Sequence, residues 1–163
     1  GVAAFLAVTT SSADAGLKIG VVNLQAALLQ TEEGRNASNT MKRYMERRQG
    51  DLNRRQKRLA REEEELRRQA GFLSRASFQR RYEHYQQRML KTQNKFVDYN
   101  KQLQQKQAQM LGPMTQKMVA VVTKVATAGG YDLVIDQSAV PYARGDLNLT
   151  DLVVQRYNSA AGK

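Results

Sequence analysis

The chain of 163 residues is long enough for one ordinary domain, and it carries 26 Lys/Arg against 15 Asp/Glu for a formal charge of +11. With no cysteine, disulfides and thiolate metal sites are excluded. The charge is uneven: Arg35 to Lys101 holds 19 basic and 8 acidic residues, a net of +11, and everything outside that window sums to zero, so this segment should attract anionic partners.

The chain opens GVAAFLAVTTSSADAGLKIG. Val2 to Val8 is a short apolar run, followed by small and polar residues. Ala13-Asp14-Ala15 then fits the small-x-small pattern of signal peptidase. Residues 1–15 therefore read as the remnant of a secretory signal, cleaved between Ala15 and Gly16. The apolar run is too short to span a bilayer.

Lys18 to Leu24 reads as a strand from its β-branched content. A long helix is expected from Glu32 to about Ala70, opposed only by Gly34 and Gly50 at ~1 kcal/mol each relative to Ala. In it Met45, Leu52, Leu59, Leu66 and Leu73 recur every seventh residue. The companion line of a coiled-coil seam would be Lys42, Gln49, Gln56, Glu63 and Ala70, which is mostly polar and gives only half a seam. Four i,i+4 pairs should support the helix at ~0.2–0.5 kcal/mol each, namely Arg58–Glu62, Arg61–Glu65, Glu63–Arg67 and Glu64–Arg68. Gly71 is the expected C-cap, and Ser74 or Ser77 the next N-cap.

A second heptad series follows, with Tyr82, Met89, Phe96, Leu103 and Met110 on one line and Phe78, Tyr85, Thr92 and Tyr99 on its companion. Tyr82, Met89, Phe96 and Leu103 are expected to pack against the first helix. The short connection makes the pair an antiparallel hairpin, ~50 Å or more from base to tip. Pro113 should break the second helix at Gly112-Pro113, and Gly129-Gly130 should end it. Tyr131 to Asp136 reads as a strand, Val140 to Ala143 as a third one at an edge, and Asp151 to Tyr157 as a final helix capped by Thr150. The fold class is thus α+β. Residues 16–34 and 112–163 would form a β-rich body, and residues 35–111 an α-helical arm with its tip near 71–76. A body of about 65–70 residues is too small to cover its own strands, so self-association is expected, which also hides sheet edges.

Catalytic constellations are not found. His84 stands alone on the arm, Glu62 to Glu65 are neutralised by nearby arginines, and Asp132 and Asp136 are explained by solvation at strand ends. The reading is no enzyme, no cofactor and no metal.

The block GYDLVIDQSAVPYARGDLNLTDLVV, with KIGVVN after a signal and a long charged hairpin between, resembles the Skp/OmpH family of periplasmic chaperones. The resemblance covers Leu17 to Tyr157, and Pro141 departs from the family's pattern. It implies a homotrimer whose strands form a small body and whose three arms enclose a cavity. It also implies ATP-independent holding of unfolded outer-membrane β-barrel proteins in the periplasm, with lipopolysaccharide or an anionic lipid surface as a further partner. A cationic arm fits acidic unfolded clients through long-range attraction. The candidate client-contacting residues are Arg47, Arg48, Arg54, Arg55, Arg58, Arg80, Arg81 and Arg88, acting as a collective field. Two other readings compete. A nucleic-acid-binding structural protein is opposed by the interleaved acids and the export signal, which leave no physiological nucleic acid among the partners. A basic envelope tether is opposed by the lack of a bulky apolar face opposite the basic one.

Overall fold

A computed structural model describes residues 16–161; the signal remnant, with Ala15 on one side of the expected cleavage point, lies outside them. Strand β1 (Ile19–Val22) leads through Asn23 into a short helix α1 (Leu24–Gln30). Helix α2 (Glu32–Gln69) and helix α3 (Arg75–Gly129) form the hairpin. Strand β2 (Leu133–Asp136) pairs in parallel with β1, Ile19 opposite Leu133 and Val22 opposite Asp136. Helix α4 (Thr150–Ala161) follows two single-turn 3₁₀ segments. Parallel strands need a crossover, and here the whole hairpin is that crossover.

Helix α1 departs from the expected strand, which stops at Val22. The Asn23 side chain accepts from the Ala26 N–H at 2.8 Å and starts a helix where apolar content alone suggested more strand. Thr31 then caps α2, its hydroxyl accepting from the Gly34 N–H at 2.9 Å and donating to the Leu28 carbonyl at 2.8 Å. Gly34 is required here: a Cβ at this position would lie 1.8 Å from the Leu28 carbonyl oxygen. Gly34→Ala is expected to destabilise the fold by about 1–3 kcal/mol, since backbone must move to make room. A chemical-denaturation midpoint equal to that of the parent would contradict this.

Three further expectations are corrected. Helix α3 runs unbroken through Pro113. Proline costs a helix most where the lost bond is buried, and Pro113 and Gln109, whose carbonyl loses its donor, are both exposed, while Met114 and Met118 bury the opposite side. Val140 to Ala143 is not a strand. Gln137–Ala139 instead turns under the Asp136 carboxylate, which accepts from the Ser138 N–H at 2.8 Å. The far edge of β1 is met by Asn148, through a bridge to Val21. Gly71 is not the left-handed cap; α2 ends on Ala70 in right-handed conformation. Among the described residues only Gly130, at φ 64°, takes the left-handed C-cap that a glycine tolerates.

The core lies in the base, where Val22, Ala27, Met118, Val121, Val125, Leu149, Val153 and Tyr157 are buried together. Polar bonds close it. Thr150 is the first residue of α4, and its hydroxyl accepts from the Asn23 N–H at 3.0 Å instead of capping its own helix. Asp132 accepts from the Lys18 N–H at 2.7 Å, and Asp136 from the Leu24 N–H at 3.2 Å, so both carboxylates are structural. At the root of the hairpin Glu33 accepts from the Tyr157 hydroxyl at 2.7 Å and from Lys117 Nζ at 3.0 Å, tying α2, α3 and α4.

Candidate functional site

The seam of the hairpin is displaced by one residue from the expected companion line. Leu52 and Leu66 are buried and Leu59 is half-buried, as the heptad of leucines requires. Their companions are Met41, Arg48, Arg55, Glu62 and Gln69, all half-buried, while Lys42, Gln49, Gln56 and Glu63 face solvent. On α3 the inward line is Phe78, Tyr85, Thr92 and Tyr99. Tyr82, Met89 and Phe96, expected inside, are 41%, 39% and 55% exposed, whereas Leu103 is half-buried. Phe78 and Tyr82 stack with centroids 6.2 Å apart, and Tyr85 follows at 6.4 Å from Tyr82.

Charged side chains enter the seam because each finds a partner there. The Tyr44 hydroxyl and Arg48 Nη2 both donate to Gln102 Oε1, at 2.9 and 3.2 Å. The Arg48 guanidinium lies over the rings of Tyr44 and Tyr99, at 4.8 and 4.6 Å, an arrangement favoured by the ring quadrupole. Asp51 accepts from Arg55 Nε and from the Tyr99 hydroxyl, both at 2.7 Å. Towards the tip, Arg88 Nε donates to Glu62 at 2.8 Å and Arg81 donates to Gln69. Glu62 is thus drawn across the hairpin, away from the expected Arg58. The pairs Glu63–Arg67 and Glu64–Arg68 form at 3.2 and 2.5 Å, and Arg61–Glu65 does not.

This divides the eight candidate arginines. Arg48, Arg81 and Arg88 bridge the two helices, and Arg55 holds the carboxylate that Tyr99 reaches. The other four stay outside. Arg47 and Arg58 are exposed and make no side-chain bond among the described residues, Arg54 reaches Asp51 only at 3.5 Å, and Arg80 donates to the Ser77 hydroxyl at 3.2 Å. The polar seam itself was missed from sequence. Its signal is the run Tyr44, Arg48, Asp51, Arg55, at alternating spacings of four and three, facing Tyr99 and Gln102.

The Arg55 guanidinium and the Tyr99 hydroxyl hold the Asp51 carboxyl down to about 2, from an ordinary 3.8. A depressed carboxyl contributes stability that is fully present above its unfolded pKa and lost as pH falls through the folded one. The arm is therefore expected to lose this contribution between pH 3.8 and about 2. Helix content followed during acid titration should show that step in the parent and a flattened one in Asp51→Asn; identical acid limbs would refute the assignment.

Apolar surface accompanies the arginines. Met89, Leu90, Phe96 and Val97 are exposed along α3. At the root a groove of about 580 Å³ is lined by Leu28, Met41, Met45, Leu103, Met110 and Met114. Methionine surfaces adapt to many partners. Among the described residues no helix is long and apolar enough to cross a membrane, and no group of three His, Cys, Asp or Glu side chains placed to hold a metal ion occurs.

A small parallel sheet carrying a long, cationic helical hairpin defines an α+β protein built to present helical surface. The family model described as outer membrane protein (OmpH-like) matches residues 18–157, and the chain belongs to that family. No curated protein matches it. Among solved structures, a candidate outer-membrane chaperone (OmpH-like) from Caulobacter crescentus CB15 is similar, with a TM-score of 0.80 at 16% identity. That likeness covers 89% of this chain and 86% of the other and bears on the fold.

Proposed function

We propose that this protein is an ATP-independent periplasmic holdase that keeps unfolded outer-membrane β-barrel proteins from aggregating, with residues 35–111 as the holding arm and residues 16–34 and 112–163 as the body. The observation that carries the reading is the arm: two long helices whose seam is largely polar, leaving both arginines and apolar side chains on the outside. Cationic surface draws acidic clients in from a distance, and scattered Met, Phe and Val contacts hold them without a fixed geometry. Neither task needs a cofactor or catalytic group. The similar Caulobacter protein, a candidate outer-membrane chaperone, supports the same role.

A homotrimer fits the base. Strand β2 pairs only with β1 among the described residues, and Leu133 on it and Tyr142 beyond the turn that follows it are exposed. A second chain would cover both, as sheet edges demand. The test is dilution of a urea-unfolded outer-membrane β-barrel protein into buffer with and without this protein, without nucleotide. Suppressed light scattering near one trimer per client is expected. Unchanged scattering with an assembled oligomer in hand would remove the holdase reading and favour an envelope tether.

A further inference from the structure

The methionines are placed unevenly along the hairpin. The chain has six, and four of them, Met41, Met45, Met110 and Met114, line the groove of about 580 Å³ at the root. Each helix supplies two, spaced i,i+4 and so on one face of that helix. Burial does not account for the choice of residue. Met45 is 51% exposed, Met41 and Met110 are half-buried, and of the four only Met114 is buried. Leucine would fill apolar space in better-defined rotamers; what methionine adds is a polarizable thioether on three rotatable bonds, and here four thioethers open on one space.

We propose that this groove binds a soft monovalent metal ion of the Cu(I) class, held by the thioether sulfurs of Met41, Met45, Met110 and Met114. The lack of cysteine excludes thiolate sites but not this one, because thioether sulfur is itself a ligand that selects Cu(I) over harder ions. It carries no proton to lose, so the site would keep its ion at acid pH, where thiolate and imidazole sites release theirs. The other polar side chains on the wall are Ser38, Lys42, Glu46 and Gln107. One carboxylate is too few for calcium or magnesium, which take about six oxygen ligands or more, and Lys42 offsets it. Selection therefore rests on sulfur rather than on charge. An ion held by both helices would pin α2 to α3 where the arm leaves the body, a role distinct from the adaptable apolar contact that the holdase reading gives these side chains.

The probe is Ag(I), equally soft and stable in air, added to the full chain in nitrate buffer without client. Isotope-labelled methionine methyls are followed by NMR. Saturable shifts are expected for Met41, Met45, Met110 and Met114, complete at a single ion per chain, while Met89, exposed on the arm, stays in place. Met41→Leu with Met110→Leu conserves volume and should weaken binding by roughly tenfold or more. Met45→Leu, at an exposed position, carries the same test if the double variant unfolds. His84→Gln removes the chain's one imidazole and should leave binding unchanged. Anaerobic transfer of Cu(I) from a chromophoric chelator should rank the variants in the same order. Any of four results overturns the proposal: no saturable binding, an equal shift of the Met89 methyl, undiminished binding in the leucine variants, or loss of binding in His84→Gln. Because no unfolded client is present, failure here leaves the holdase reading intact.

Discussion

Replacing Arg47, Arg54, Arg58 and Arg80 together by Gln is expected to slow capture of an unfolded client by about tenfold or more at low ionic strength, with little change in thermal unfolding. These four lie outside the seam, so their loss removes long-range attraction and almost no internal bonding. The complementary set behaves differently. Arg48, Arg55, Arg81 and Arg88 are bonded within the hairpin, so replacing them removes several hydrogen bonds that hold the seam together. Their replacement should melt the arm before it reveals anything about binding. Stopped-flow capture at two salt concentrations, beside a thermal melt for each variant, separates the two. The difference in capture between parent and outer-set variant should shrink with added salt, because screening shortens the reach of the field. Equal capture by parent and outer-set variant at low salt would end the electrostatic mechanism.

The second large effect is expected in the base. Met118→Ala should destabilise the protein by about 2–5 kcal/mol, the range for truncating a long side chain in a packed core. Met118 is fully buried, and it sits among Val22, Val121, Val153 and Tyr157, where sheet, hairpin root and last helix meet. The surrounding side chains come from three elements and cannot all collapse into the space. Met89→Ala, on the exposed line of the arm, serves as the matched control and should change the denaturation midpoint little. A Met118→Ala midpoint as high as that of the control would mean that the base is not where the stability resides.

Which parts of this structure were legible in sequence follows from what each signal measures. The heptad of Leu52, Leu59 and Leu66 marks burial directly, and of the two candidate N-caps, Ser74 and Ser77, Ser74 caps α3. Gly130 ends α3 for a reason visible in the residue itself, its tolerance of positive φ. The companion line was not legible, because polarity stood in for exposure. Arg48, Arg55 and Glu62 are polar and still inside, each bonded to a partner 26 to 54 residues away or one turn away. Such pairing depends on register, which no local pattern encodes. Pro113 misled for the opposite reason: a strong local breaker was overridden by packing on the buried side of the same helix. Likewise Val140 to Ala143 has strand-like residues, but the Asp136 carboxylate turns the chain before they can pair. The division of the eight arginines could be drawn only once the seam was known.

Helix α3 spans 55 residues against the 38 of α2, about 82 Å at 1.5 Å per residue, and runs from the tip turn to the sheet without interruption. Mechanically it is a lever. A sideways push by a client near the tip acts with that full arm length, and the resulting torque is delivered to Met118, Val121 and Val125. The Glu33–Lys117–Tyr157 knot sits where a fulcrum would be. Occupancy far from the body is thereby convertible into a small rotation at the sheet, which in an oligomer every subunit would feel.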